Sequence, residues 1–440
     1  MFGQFFGKLP TPIKGAMKPN THQKIAVVGT GISGSGAAYL LNPLHSITVY
    51  EKNPYIGGHS RTVEVNTPEG VIAVDTGFIV FNYRNYPLLT GLFAHLDVPV
   101  SQSDMSFAAS INQGWLEYGT PRLANIFAQK RNLLRPDFWQ MLRDIIRFNR
   151  QAQQFLQSDP MISLGDCLER LKMGAWFRNY YLLAMGGAIW STPLTEMLKF
   201  PAATFIRFFE NHGLLTINDQ PQWFTVTGGS REYVKRLTAS FADRIRVNTG
   251  VTRVVREGDR VVVFDDQGGH ETYDAVVFAC HADQALAMIE NPTPDEARIL
   301  GAFRYQPNRA VLHSDLSFMP QRKQAWASWV YLSEARQDDN PMVSLSYWMN
   351  NLQPLPTSQP MIVTLNPGRE PDPALVHNDY WFDHPLFDEA AIRAQGEIAT
   401  LQGQNRFWFC GAYQRYGFHE DGLGSAVAMT EKMGIPKSWS

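Results

Sequence analysis

The feature that most constrains this chain is a short apolar run that stops on a glycine. Lys24-Ile25-Ala26-Val27-Val28 is rich in β-branched residues and ends at Gly29, and from Ile32 to Leu41 the apolar residues recur with helical spacing. The junction reads Gly29-Thr30-Gly31-Ile32-Ser33-Gly34, a G-x-G-x-x-G pattern placed after a buried strand and opening a helix, the context that gives it physical meaning. Gly29 permits a tight turn, Gly31 lets a pyrophosphate approach the backbone, and Gly34 lets helix and strand pack closely. Phosphates are expected over the first helical residues, Ile32 and Ser33, where unpaired N–H groups and the helix dipole favour negative charge. A second strand, Ser46-Ile47-Thr48-Val49-Tyr50, completes a βαβ unit. It delivers Glu51, followed by Lys52, to the place where a carboxylate accepts hydrogen bonds from a ribose diol and repels a 2′-phosphate.

Charge and cysteine usage narrow the function classes. The 440 residues carry 39 Lys and Arg against 41 Asp and Glu, a net charge of -2, which argues against nucleic acid as a partner. The length suggests two or three domains, and 44% hydrophobic residues suffice for their cores. Cys167, Cys280 and Cys410 form no CxxC pair, so neither a disulfide framework nor a metal site is expected; buried reduced thiols in a cytoplasmic chain are. The longest apolar run, residues 180–190, is too short for a membrane span and contains Gly186 and Gly187. Residues 1–23, with Phe2, Phe5, Phe6, Lys8, Lys14 and Lys18, read as an N-terminal tail.

Strand-like segments return after a long aromatic and helix-forming middle: residues 244–255, 260–266 and 275–282, separated by the turn signals Glu257-Gly258-Asp259 and Gln267-Gly268-Gly269. A final strand at 406–411 precedes a helix expected to begin near Gly424. This pattern predicts one discontinuous nucleotide-binding domain from residues 24–84, 225–285 and 395–440, with residues 85–224 and 286–394 inserted as a substrate domain.

Three further motifs specify the nucleotide. Glu51 is followed by Lys52-Asn53-Pro54-Tyr55-Ile56-Gly57-Gly58-His59-Ser60-Arg61-Thr62; Trp223-Phe224-Thr225-Val226-Thr227-Gly228-Gly229-Ser230 precedes a strand opening at Val251; and Phe409-Cys410-Gly411 leads to His419-Glu420-Asp421-Gly422-Leu423-Gly424-Ser425-Ala426. In order and type these resemble the FAD-binding motifs of the flavoprotein superfamily containing amine oxidases, protoporphyrinogen oxidase and phytoene desaturases. The resemblance implies FAD as cofactor and an α/β fold, a Rossmann-type FAD-binding domain carrying an inserted α+β substrate domain. It implies contacts to the pyrophosphate side from Gly58 and from His59 or Arg61, to the adenine side from Val251, and to the flavin from Gly411, Asp421, Gly422, Leu423 and Ser425. Two departures stand out. His59 occupies a position often held by Arg, and Ala412-Tyr413 replaces the acid that often follows the C-terminal strand. Cys410, inside a strand, reads as core.

The same comparison bears on substrate. Leu423 falls where amine oxidases carry an aromatic wall, and residues 309–315 lack the lysine expected near flavin N5, with none before Lys323. An aliphatic wall suits an alkyl chain, although Trp348 or Tyr413 could still supply a cage. Arg122, Lys130, Arg131, Arg135, Arg143, Arg147 and Arg150 alternate with apolar residues and face only Asp137 and Asp144. That pattern suits an ordinary surface helix and also a helix lying on an anionic membrane surface, which would place the protein peripherally on the inner face of the membrane. The segments at 211–215, 346–353 and 417–423 are similar to a bacterial branch of the superfamily associated with modification of phospholipid fatty-acyl chains. The expected function is therefore an FAD-dependent oxidoreductase on a lipophilic, fatty-acyl substrate, desaturating it. The rivals are a flavin amine oxidase, a redox-neutral double-bond isomerase, and a flavin-bound partner of another lipid-modifying enzyme. His419 is the first candidate for proton handling and Glu420 the second; His281 and His212 read as structural.

Overall fold

The computed structural model describes residues 22–120, 122–158, 162–190, 197–199, 201–211, 221–333 and 344–439. The sequence-predicted tail up to residue 21 and His212 lie outside them. Strand Lys24–Val28 sits at the centre of a five-stranded sheet, between Ser46–Tyr50 and Ala275–Phe278, with Ile245–Arg246 and Phe407–Phe409 at the edges. All pairings in it are parallel, Val27 facing Val49 on one side and Val277 on the other. A parallel strand must be apolar on both faces. Here Ile25 and Val27 pack into one core with helices Ile32–Leu41, Arg231–Thr238 and His419–Lys432. Ala26 and Val28 pack into another, under the antiparallel strands Val251–Glu257, Arg260–Asp265 and His270–Tyr273.

The helix predicted near Gly424 starts earlier, at His419. It lies close along the fingerprint helix because both carry glycine at the crossing. A Cβ on Gly36 would meet Leu423 Cδ1 at 2.9 Å, and one on Gly422 would meet Ile32 Cγ2 at 2.8 Å.

The second layer is a seven-stranded sheet, in spatial order Val376–Leu386, Arg304–His313, Ile362–Leu365, Ser344–Trp348, Trp329–Ser333, Phe107–Ile111 and Leu116–Gly119. It is antiparallel except where Trp329–Ser333 runs parallel to Phe107–Ile111. Helices Pro136–Ser158, Leu164–Arg170, Leu183–Trp190 and Ala202–Asn211 contribute to its core. The inserted segments are therefore α+β, but their limits differ from the sequence reading. Helix Pro87–His95, placed with the substrate domain, buries Leu89, Leu92 and Phe93 against the parallel sheet's core. Helices Pro294–Leu300 and Glu389–Glu397 likewise bury Ile299, Leu300, Ala391 and Ala394 on its other face. An apolar helical face does not announce which sheet it will cover, so the sequence reading drew the inserted segments too wide.

Among the described residues no helix is long and apolar enough to cross a membrane.

Candidate active site

A cavity of about 580 Å³ extends from the C-terminal ends of the parallel strands to the face of the seven-stranded sheet. Ligands of open α/β sheets bind at that edge because strand connections diverge there and leave a crevice into which helix N-termini point. Gly29, Thr30, Gly31, Ile32 and Ser33 line it, as do Glu51, Lys52, Gly58, His59, Val251 and Gly411. The turn has the shape that a pyrophosphate needs. Gly29 holds a φ of 105°, and a Cβ on Gly34 would lie 1.9 Å from the Gly29 carbonyl oxygen, so neither position admits a side chain. A Cβ on Gly31 would meet nothing within 4 Å, which leaves backbone open to the cavity, and no side chain caps the helix that begins beside it.

Glu51 is buried and its carboxylate is already bonded within the chain. Oε2 accepts from the Thr30 N–H at 3.2 Å and from the Thr30 hydroxyl, and Oε1 accepts from the Asn53 N–H at 2.9 Å and Nδ2 at 2.8 Å. The group expected at a ribose therefore also ties the fingerprint turn to the second strand. Glu51→Ala is expected to cost about 1–3 kcal/mol of stability through the orphaned N–H groups, besides lowering FAD retention. Thermal unfolding of the apo-protein and flavin absorbance after gel filtration check the two effects separately.

Of the two pyrophosphate-side candidates, His59 reaches the cavity and Arg61 does not. Arg61 donates to Asn378 Oδ1 at 2.8 Å, and its guanidinium lies 4.2 Å from the ring centre of Tyr380. Four residues expected at the flavin also lie off the cavity wall. Asp421 accepts from the Phe418 N–H at 3.0 Å, Gly422 is wedged against Ile32 and Ser33, and Leu423 is fully buried against Gly36. Ser425 receives the Gly411 N–H at 2.8 Å and so fixes that strand end from behind. The cause is the early helix start, which turns residues 421–425 inward and presents residues 416–419 instead. Leu423 accordingly forms no substrate wall.

Glu420, the second proton-handling candidate, is engaged elsewhere: its carboxylate accepts from the N–H groups of Leu88 at 2.8 Å and Leu89 at 2.9 Å, capping helix Pro87–His95. His419 does line the cavity. It stacks on Phe78 with ring centres 3.7 Å apart, and its Nε2 lies 2.9 Å from Ser60 Oγ and 3.1 Å from Tyr233 OH. Burial, with His59 adding, holds its imidazole down to about 3, so the near-neutral titration that recommended it is lost and the ring stays uncharged at neutral pH.

Three more imidazoles share the cavity. Burial, chiefly, holds His59 and His281 down to about 4 and His384 to about 3, with His59 stacked on His384 at 5.5 Å. His313, buried elsewhere, is held to about 4. Unfolding restores each to about 6.5, so the unfolded chain binds more protons and stability falls as pH drops from 6.5 toward 4. Asp75 and Asp421, raised to about 6 chiefly by burial, act oppositely between pH 6 and 4, as do Asp283 and Glu420, which burial also raises, but these four oppose seven histidines, since burial lowers His45 and His377 as well. Denaturant midpoints measured at pH 7, 6 and 5 are expected to decrease in that order.

The far end of the cavity was missed in the sequence. Phe107, Trp329 and Tyr347 occupy one row across three adjacent strands, Trp329 in register with both neighbours, and all three line the cavity beside Met105 and Met185. Trp329 and Tyr347 meet edge to face with ring centres 4.8 Å apart. Trp348, the cage candidate, points the other way and packs on Trp326, whereas Tyr413 does line the cavity. Strand alternation could have found the row: Trp329 and Tyr347 project on the face opposite to Val330 and Trp348. The lysine among the lining residues is Lys52, at the dinucleotide end.

A parallel sheet with this glycine turn, a buried acid after its second strand and a long cavity reaching an aromatic sheet face define a dinucleotide-dependent oxidoreductase. Residues 32–314, well over half the chain, match the family described as flavin containing amine oxidoreductase. The chain belongs to that family; its cofactor is FAD and it is an FAD-dependent oxidoreductase. It is 23% identical over 333 residues to AofH of Mycobacterium tuberculosis, named for flavin-containing monoamine oxidase activity, covering 72% of this chain and 69% of that protein. Its fold is shared with cyclohexylamine oxidase from Brevibacterium oxydans, at TM-score 0.67 and 17% identity over 94% of this chain and 100% of that one. It is also shared with a CLA-producing fatty acid isomerase from P. acnes, at TM-score 0.64 and 14% identity over 93% and 98% of the two chains.

Proposed function

We propose that the protein oxidises a lipophilic substrate, the acyl chain of a fatty acid or phospholipid, introducing a double bond. The observation that carries this reading is the distribution of charge along one cavity. Glu51, Lys52 and Asp383 lie among its lining residues with the dinucleotide turn and the histidines, whereas the row Phe107, Trp329 and Tyr347, with Met105 and Met185, offers an apolar wall. Burial raises the Tyr347 hydroxyl far above neutrality, so that end stays uncharged. Trp329 Nε1, a donor only, is buried without an acceptor among the described residues, which suits a substrate carrying an acceptor oxygen better than an ammonium, which has donors alone. The architecture shared with a fatty acid isomerase supports the reading to the extent that such a fold accommodates a fatty acid.

When bound, FAD would supply the hydride acceptor for one C–H bond, with the proton of the neighbouring C–H bond passing to bulk water. The chain's part is to hold the alkyl segment against the aromatic row and to exclude water from the reacting carbon. Neutral His419, fixed by Phe78, Ser60 and Tyr233, is a rigid wall that positions rather than a store of protons.

Anaerobic incubation of the yellow protein with phospholipid tests the reading. Lasting bleaching with a new double bond in the recovered lipid is the expected result. Movement of existing double bonds without bleaching would assign isomerisation, and bleaching by amines alone would assign amine oxidation.

A further inference from the structure

Helix Pro136–Ser158 has two apolar stripes, and one of them is unused by the core. Phe138, Met141, Phe148 and Ala152 are buried at helical spacing in the substrate-side core. On the solvent side Trp139 is 47% and Ile146 44% exposed, two turns apart. Leu134 and Leu123, in the segments leading into the helix, are 87% and 75% exposed, higher than any other large hydrophobic side chain described. The patch is continuous: Trp139 Nε1 donates to the Leu133 carbonyl at 2.9 Å, and its ring lies 5.4 Å from that of Phe127, one turn beyond Leu123.

The charges around this patch are of one sign. The sequence counted Asp144 against them, but Asp144 is buried, pairing with Arg147 at 3.0 Å and accepting from the Gly174 N–H at 2.9 Å. Arg131 and Arg135 are turned onto the Trp115 carbonyl. That leaves Arg122, Lys130, Arg143 and Arg150 exposed with no ion pair among the described residues, and Asp137 as the exposed acid between positions 122 and 150. Arg143 and Arg150 interleave with Trp139 and Ile146 along the same face.

We infer that this surface docks in the plane of an anionic lipid bilayer, with Leu123, Leu133, Leu134 and Trp139 in the headgroup boundary and the four free cations on lipid phosphates. Exposed leucines at the tips and unopposed arginines between them are complementary to a surface that is apolar below and negative above. The helix packs on Ala175–Phe177, whose continuation carries Met185 into the cavity, so the bilayer would lie one helical layer from the cavity's apolar end.

The test is sedimentation of the full-length holoenzyme with vesicles of phosphatidylcholine alone or mixed with phosphatidylglycerol. The holoenzyme should pellet with the mixed vesicles, and less so as salt rises. Arg122→Gln, Arg143→Gln and Arg150→Gln together should lower the partition coefficient roughly 100-fold. Leu123→Ser with Leu134→Ser should lower it at unchanged charge while leaving the flavin spectrum and melting temperature as they were. Equal binding to both vesicle types, or none to either, would overturn the inference. So would a concentration-dependent dimer that Leu134→Ser dissolves without any vesicle binding, since the patch would then belong to a second copy. The readout is partition rather than turnover, and none of the substituted residues lines the cavity, so it stands or falls apart from the acyl-chain reading.

Discussion

Gly31→Val is expected to give a folded, colourless protein. Gly31 has φ -60° and ψ 177°, open to any residue, and a Cβ there would touch nothing within 4 Å. The polypeptide alone therefore has no reason to object, and the melting temperature of the apo-protein should move little. The space that the new side chain enters is the cavity itself, at the uncapped start of the fingerprint helix, where a pyrophosphate must come into contact with backbone. Overpacking costs of about 1–3 kcal/mol, added to the lost phosphate contacts, should lower FAD affinity at least about 100-fold. Gly34→Val supplies the contrast. Its Cβ would lie 1.9 Å from a backbone oxygen, so helix and strand cannot both keep their places, and loss of the fold is expected rather than loss of colour alone. Circular dichroism, thermal unfolding and flavin absorbance after gel filtration separate the two outcomes. A yellow Gly31→Val protein would refute the assignment of the turn.

This contrast shows why the dinucleotide half was legible in the sequence. Strand, turn, helix and acid are local in the chain, and each glycine answers a constraint set within a few residues, so Gly29, Gly31, Gly34 and Glu51 could be placed by reading alone. The flavin end was harder. Motif spacing brought Gly411 and His419 to the cavity, but the helix starting at His419 instead of near Gly424 rotated Asp421, Gly422 and Leu423 away from it. A shift of five positions exceeds one turn and changes which face is presented. The substrate end was illegible for a different reason. Phe107 lies more than two hundred residues before Trp329 and Tyr347 in the chain, and the three meet only through strand register, in which an error of one position exchanges Tyr347 for Trp348. His419 and Glu420 were singled out by their chemistry in isolation. What they do is set by burial and by the Leu88 and Leu89 N–H groups, which no local pattern contains.

The second large effect concerns acyl length. If the alkyl chain is held by burial against Phe107, Trp329, Tyr347 and Met185, each methylene removed forfeits about 0.8 kcal/mol, or roughly fourfold in kcat/KM. A substrate six methylenes shorter should then turn over roughly 4,000-fold less efficiently, with a plateau where longer chains outgrow the wall formed by Met105 and Met185. Rates of anaerobic flavin bleaching across a homologous series of saturated acyl substrates measure the slope. Two variants dissect it. Trp329→Phe removes the Nε1 donor but keeps most of the aromatic surface, so it should lower every member about tenfold through the lost hydrogen bond and leave the slope alone. Met185→Lys places a charge against the chain and should flatten the slope while abolishing turnover of the longest members. The two substitutions act on different terms because oxygen recognition depends on a single donor, whereas chain recognition grows with buried area. A flat series in the unaltered protein, with saturable bleaching by primary amines, would reverse the choice between acyl chain and amine, since burial of an alkyl segment cannot be made independent of its length.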